Sequence, residues 1–227
     1  MARSDDFRGS FWQRLLRTKS TAPPAPTNAG LVAFQEGRHG DAERMLVADL
    51  ARAERQIPEP TAIARALVDL AELYRGQARF EEAEPLFRRA IALLDALPAP
   101  AHRALVKPLN SLALVYRAQG LYAQAEPLCR RALAIAEGAH GPEHPATANV
   151  IGNLLTVYLA QGRYGDAAPL FQRSVNLKER LLGPKHPDLA SSLSNYAAFL
   201  RKTANEREAA TWEARARAIS GARPSQP

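Results

Sequence analysis

The chain has 227 residues, a formal net charge of +7 and an apolar fraction of 46%, with aromatic residues making up only 7%. Its single cysteine, Cys129, excludes an internal disulfide and a metal site built from several thiolates, and it is compatible with a reducing compartment. The arginine-rich positive charge would suit nucleic acid, an anionic membrane or an acidic protein segment, and by itself does not choose among them.

The first 27 residues are predicted to form a basic amphipathic segment followed by a linker. A short helix over residues 6–19 would either cap the first repeat or lie on an anionic membrane, and we favour capping or partner docking. The proline-rich stretch 21–28 predicts a semi-rigid linker. Arginines interrupt the apolar residues, so we expect no secretory signal, and no run approaches the roughly 18 apolar residues of a membrane span. We therefore expect a cytoplasmic protein. The apolar residues of the segment are Phe7, Phe11, Trp12, Leu15 and Leu16.

From residue 28 onwards the chain repeats one pattern. Three clear copies begin at Leu67, Leu109 and Ile151, so their spacing is 42 residues. Weaker copies cover residues 29–46 and 193–212, as expected for the two ends of a repeat array. The predicted repeats are 28–60, 64–102, 106–145, 148–187 and 190–220, and a disordered tail is predicted for 221–227. The residues in register are Tyr74, Tyr116 and Tyr158, then Ala83, Ala125 and Ala167, then Pro85, Pro127 and Pro169.

Each copy is predicted to form two helices. In the central copy, Leu109, Leu112 and Tyr116 recur at the helical period and give one apolar stripe. Gly120 ends this first helix, because glycine enters left-handed backbone conformations cheaply. The second helix is predicted to begin near Ala123, which places the copy's proline in the first turn, where no backbone hydrogen bond is lost.

The links between copies contain a repeated His-Pro pair. The stretches GPEHPATA at 141–148 and GPKHPDLA at 183–190 are read as helix stops followed by extended chain. This structural interpretation is favoured over a metal site, since no closed set of four ligands appears. Cys129 takes an inward position and is predicted to act as a packed apolar side chain. No phosphate loop or hydrolase motif is present, so we expect no enzyme activity, cofactor or metal.

Over residues 28–219 the pattern Leu-x-x-Leu-Ala-x-x-Tyr, Gly-x-Tyr, Ala and Arg-Ala-Leu resembles the tetratricopeptide repeat (TPR). The 42-residue spacing and the Gly-Pro-x-His-Pro links resemble the variant found in kinesin light chains and many bacterial TPR proteins, and the Arg- and Ala-rich composition suggests a bacterial source. The resemblance implies an all-α fold, a right-handed α-solenoid of about five helix–turn–helix repeats. It also implies a protein-interaction scaffold, whose concave groove, lined by the first helices, holds a peptide or partner segment.

Helix spacing then predicts which residues line that groove. The cations outnumber the single carboxylate, which favours an acidic or carboxylate-ended segment, although ordinary solvated surface would look similar. In this type of TPR, asparagines one turn into the first helix often bond a ligand's backbone; a bond to a neighbouring helix is the alternative. Val68 and Gly152 are also predicted to face away from the core. The candidate residues are Arg65, Glu72, Arg75, Lys107, Asn110, Leu114, Arg117, Asn149, Asn153, Thr156, Ser194, Asn195, Arg201 and Lys202.

Two other partner classes stay open at this point. Nucleic acid binding rests on charge alone and is disfavoured, because Arg88 and Arg89 lie at helical spacing from Glu82 and Glu84. The second class is another copy of the chain, which would bind through the open end of the repeat array.

Overall fold

The computed structural model describes residues 28–56 and 59–221, which form two compact units, residues 28–139 and residues 140–221. The described part of the chain contains ten α-helices and one 3-10 helix and has no strand, which confirms the all-α prediction. The interpretations of residues 1–27 as a capping or membrane-binding segment, and of the tail beyond Gly221, lie outside the described residues.

The unit of residues 28–139 consists of three helix pairs. Its core begins between the first two pairs, where Ala33, Leu46 and Leu70 are buried against one another. The helices are α1 (Ala29–Gln35) and α2 (His39–Gln56), α3 (Pro60–Gly76) and α4 (Phe80–Asp95), then a 3-10 helix (Ala99–Leu105) leading into α5 (Val106–Ala118) and α6 (Tyr122–His140).

The unit of residues 140–221 consists of two helix pairs. Its core is aromatic: the ring of Phe171 lies 5.1 Å from that of Tyr196 and 5.3 Å from that of Phe199, and Trp212 packs edge-on against Tyr196. An ion pair between Arg215 and Glu179 joins the two second helices. The helices are α7 (Pro145–Ala160) and α8 (Tyr164–Leu182), then α9 (Pro187–Lys202) and α10 (Glu206–Gly221).

A bond between a tyrosine and a carboxylate joins successive helix pairs in the first unit. Tyr74 on α3 donates its hydroxyl to Glu43 on α2 at 2.9 Å, and Tyr116 on α5 donates to Glu84 on α4 at 2.7 Å. Hydrogen bonds hold the pKa values of both carboxyl groups below their usual range, that of Glu43 chiefly through Arg79 and that of Glu84 chiefly through the tyrosine. The register of the tyrosines is visible in the sequence, but their partners are not.

The prolines of the second helices do not lie in the first turn, so that prediction is wrong. Pro85 is the sixth residue of α4, and Pro127 and Pro169 are likewise the sixth residues of α6 and α8. Each proline therefore removes one intrahelical hydrogen bond. Glu81, four residues before Pro85, is exposed, so the carbonyl that loses its partner can bond water instead.

The histidines of the links cap helices, which confirms their structural interpretation. His144 and His186 are extended N-cap residues, and each accepts a hydrogen bond on Nδ1 from a backbone amide two residues later, at 3.1 Å. The following prolines, Pro145 and Pro187, stand at the first helical position, where no donor is needed. Cys129 is fully buried, and burial raises the pKa of its thiol to about 12, in agreement with its predicted role as an apolar side chain.

The turns inside the helix pairs place one residue in the left-handed region. Glycine does so at Gly37, Gly120 and Gly162, whereas Ala78 and Ala204 adopt a φ of 59°. A residue with a Cβ is strained in this conformation, by about 1 kcal/mol. The two alanine turns are thus local sites of stored strain.

Replacing Ala204 by glycine should raise the free energy of unfolding by up to about 1 kcal/mol, because the strain at the turn is relieved. Ala214 is exposed on α10, in ordinary helical conformation, and its replacement by glycine should lower stability by about 0.5–1 kcal/mol. Urea unfolding followed by circular dichroism measures both. A loss of stability in Ala204→Gly would contradict the strain argument.

Glu84→Gln should lower the free energy of unfolding by about 1 kcal/mol at neutral pH, because the charged acceptor of the Tyr116 bond is lost. The pKa of Glu84 is lowered in the folded state, so its contribution is present above the ordinary carboxyl pKa and disappears as pH falls through the folded value. The difference between wild type and variant should thus vanish in acid. Glu81→Gln, an exposed change on the same helix, should have little effect at either pH.

Candidate functional site

The predicted groove residues fall on two surfaces, one in each unit. All fourteen are exposed or half-buried, whereas Val68 and Gly152, which helix spacing also placed away from the core, are buried. We call the first surface the α3/α5 face; it consists of Arg65, Glu72, Arg75, Lys107, Asn110, Leu114 and Arg117. We call the second the α7/α9 face; it consists of Asn149, Asn153, Thr156, Ser194, Asn195, Arg201 and Lys202.

Side-chain contacts hold the α3/α5 face together. Ser111 on α5 donates its hydroxyl to Glu72 on α3, and the other oxygen of that carboxylate pairs with Arg75 at 2.6 Å. Lys107 on α5 reaches Asp69 on α3, with 3.4 Å between nitrogen and oxygen. The structure therefore brings the predicted residues of both helices together, and it adds two that the prediction missed, Asp69 and Ser111.

These contacts reduce the positive bias that was predicted for the groove. Two of the four cations on the α3/α5 face, Arg75 and Lys107, are paired with carboxylates of the same face. Residues 28–139 as a whole carry 14 Lys and Arg and 14 Asp and Glu, so the unit has no net charge and the +7 comes from the rest of the chain. The positive character of this face is therefore local.

Arg117 is the cation that differs from the others. Its side chain is half-buried, and it forms no ion pair with any carboxylate in the described part of the chain. Burial lowers the pKa of its guanidinium, and the nearby charge of Arg75 acts in the same direction. A desolvated cation without a counter-charge is unfavourable, and a carboxylate brought by a ligand would remove that penalty.

The α7/α9 face is polar but almost uncharged. Helix α7 contains no Asp, Glu, Lys, Arg or His, and the hydroxyl of Thr156 donates to the carbonyl of Gly152 at 2.9 Å. Arg201, at the end of α9, forms ion pairs with Glu206 and Glu213, so its charge is balanced. Lys202 is therefore the main source of uncompensated positive charge on this face.

The asparagines do not all occupy the same helical position. Asn110 is the fifth residue of α5, about one turn in, as predicted. Asn153 and Asn195 are the ninth residues of α7 and α9, two turns in, so that part of the prediction is wrong. The counterparts of Asn153 at the 42-residue spacing are Asp69 and Ser111. The same position of the repeat is thus polar in each of these copies, and this pattern in the sequence could have identified Asp69 and Ser111 as surface candidates.

The matched family model decides the classification. The model described as tetratricopeptide repeat covers residues 24–96, 105–180 and 156–221. The chain belongs to the tetratricopeptide repeat family. This confirms the predicted fold class of about five TPR helix–turn–helix repeats. TPR proteins are generally scaffolds for protein–protein interaction.

Several solved structures resemble the chain in fold. BtubC (BKLC) from P. vanneervenii is 20% identical, with a TM-score of 0.76 over 87% of this chain and 79% of that one. A kinesin light chain-like protein of Podosopora anserina with nearly identical TPR-like repeats is 22% identical, with a TM-score of 0.74 over 87% and 94%. The apo form of RapI is 15% identical, with a TM-score of 0.70 over 85% and 68%. At these identities the likeness concerns the fold alone.

No protein with a curated description matches the chain. Among the residues that the structure describes, no helix combines the length and the apolar character needed to cross a membrane. Across the same residues, no three His, Cys, Asp or Glu side chains are grouped so that they could hold a metal ion.

Arg117→Leu should raise the free energy of unfolding by about 1 kcal/mol, because it removes a desolvated, unpaired cation. Leucine already stands at the equivalent position of α7, Leu159, so the side chain suits this place in the repeat. Arg75→Leu should instead leave stability unchanged or lower it, since its ion pair with Glu72 is lost. If thermal unfolding shows that Arg117→Leu is less stable than the unsubstituted protein, then Arg117 stabilises the fold and is not held in reserve for a ligand.

Proposed function

We propose that this TPR protein is a scaffold that binds an acidic segment of another protein on its first-helix faces, with Arg117 as the anchor for a carboxylate. In support, the guanidinium of Arg117 is half-buried and has no carboxylate partner among the residues that the structure describes. Arginine presents a planar pair of donors that matches a carboxylate, and desolvation strengthens such a bond relative to one at an exposed site.

The surroundings of Arg117 supply the other contacts that a peptide needs. Leu114, one turn earlier on α5, is half-buried and offers an apolar contact beside the cation. Arg75 lies close enough to lower the pKa of Arg117, so an incoming carboxylate would meet two positive charges, one of them shared with Glu72. Charge-assisted bonds at partly buried positions of this kind set specificity more than exposed ion pairs do.

The α7/α9 face suits a different kind of contact. Amide side chains at Asn153 and Asn195 can both donate and accept hydrogen bonds, which is what the peptide backbone requires. Because α7 carries no charge, contacts there would depend little on the ligand's sequence. We propose that the α3/α5 face selects acidic residues and that the asparagines of the α7/α9 face bind the backbone of a partner segment.

The alternative, a nucleic-acid or membrane-surface protein that uses its positive charge, is less well supported. The unit that carries Arg117 has no net charge, so it lacks the broad cationic surface that phosphate tracking needs. We also propose a binding role without catalysis and a cytoplasmic location.

The test is a titration of fluorescently labelled acidic, basic and neutral peptides against the full chain and its variants. Arg117→Glu should weaken binding of the acidic peptide by about tenfold or more, which corresponds to about 1.4 kcal/mol. Arg75→Glu should have a smaller effect, since that cation already has a partner. Added salt should weaken binding of the acidic peptide more than binding of the basic or neutral peptide.

Lys185→Glu is the matched control, because it makes the same change of charge at an exposed residue of the link between α8 and α9. It should leave binding unchanged. Equal losses in Lys185→Glu and Arg117→Glu would show that only net charge matters, and undiminished binding by Arg117→Glu would remove the proposed anchor. A salt-sensitive shift of DNA or RNA by the same protein would favour the alternative function.

A further inference from the structure

A cavity of about 560 Å³ opens between α2 and α3 at the beginning of the repeat array. Its size lies within the range of roughly 300–1,000 Å³ that is usual for binding pockets. Alanines form much of its lining, and carboxylates and guanidiniums stand around them. The residues that matter here are Asp49 and Ala53 on α2, and Glu59, Ala62, Ala66 and Asp69 on or beside α3.

The cavity exists because α1 is too short to cover its own partner helix. Helix α1 has 7 residues, whereas α3 has 17 and both α7 and α9 have 16. The second half of α2, residues 47–55, contains no buried residue. At the 41-residue offset between the first two copies, Asp49 and Ala53 correspond to Ala90 and Leu94 on α4, which are buried. Two core positions of the first repeat are therefore uncovered by the described chain.

The residues that would extend α1 are unsuited to do so. By the same offset, residues 19–28 correspond to the first half of α3, and they include Pro23, Pro24 and Pro26. Consecutive prolines cannot continue an α-helix in its interior, because each removes a donor and clashes with the preceding turn. The surface of α2 that a longer α1 would cover must therefore be covered by some other segment.

We propose that residues 6–19 of the same chain dock in this cavity and complete the first repeat. The chain enters the described structure at its rim, since Asn28 donates to Asp69 at 3.4 Å while it caps α1 through Gly30. From Lys19 to Asn28, a proline-rich chain of nine residues reaches about 28 Å. The stretch of α3 from Glu59 to Asp69 rises only about 15 Å, so the segment can fold back along the whole cavity.

The chemistry of the segment matches the cavity. Small side chains at Ala53, Ala62 and Ala66 leave room for large ones, and Phe11, Trp12 and Leu15 are the chain's nearest candidates. The lining has three carboxylates against two guanidiniums. Asp49 is paired with Arg52 at 3.0 Å and Asp69 with Lys107 at 3.4 Å, so Glu59 is the lining carboxylate for which the described residues supply no ion pair. Residues 1–27 carry five Arg and Lys against two Asp, the complementary sign.

Trp12 reports on the docking directly, because the chain has only one other tryptophan, Trp212. In full-length Trp212→Phe protein, acrylamide should quench Trp12 several-fold less than in an isolated peptide of residues 1–19. Ala53→Phe, which fills the cavity, should restore full quenching. Ala210→Phe, an exposed alanine on α10, is the matched control and should leave the protection intact.

Hydrogen exchange on the unsubstituted chain gives a second measurement that does not depend on the Trp212 variant. Amides of α2 and of the first half of α3 should exchange faster in a chain that begins at residue 20 than in the full chain. The proposal is overturned if Trp12 is quenched as in the peptide or if exchange is unchanged by the truncation. It is equally overturned if protection falls on dilution, which indicates a second copy, or arises only with anionic vesicles, which indicates a membrane.

Discussion

Within each unit, the packing of one helix pair against its neighbour is the constraint on which the rest of the structure depends. A single pair has an apolar stripe on each helix and too little surface to bury both, so every pair is stable only beside a neighbour. In the first unit this packing is fixed by a tyrosine hydroxyl bound to a carboxylate on the preceding helix. In the second unit an aromatic cluster around Phe171 and Phe199 holds the two helix pairs together.

Because the packing is local, the two faces of the protein differ in chemistry while their helices share one pattern. The α3/α5 face has buried or half-buried ionic groups, among which only Arg117 lacks a counter-charge in the described chain. The α7/α9 face has amides and hydroxyls. Helices of one repeated pattern therefore present different surface chemistry in the two units.

The sequence predicted the elements that depend on periodicity and failed where an outcome depends on distant contacts. Tyr74 and Tyr116 could be placed in register by spacing alone, but the partnership of Tyr116 with Glu84 spans 32 residues and has no local signature. The bias in charge was overestimated because Asp69, a buried residue, looks apolar by position and was left out. The position of Pro127 was misjudged because the proline was assigned to the first turn by residue type, whereas it is the sixth residue of α6 and would be the fifth even in a helix that began at Ala123.

The lack of charged side chains on helix α7 limits how contacts on that helix could be regulated. With no side chain that changes its charge between about pH 3 and pH 9, its surface is chemically the same in every cellular compartment. A contact made there would be insensitive to acidification and to ionic strength, and phosphorylation of a ligand would find no arginine on this helix to pair with. A response to pH, salt or phosphate therefore needs charged groups that lie outside this helix, such as Lys202 at the end of α9 or Arg117 on the α3/α5 face.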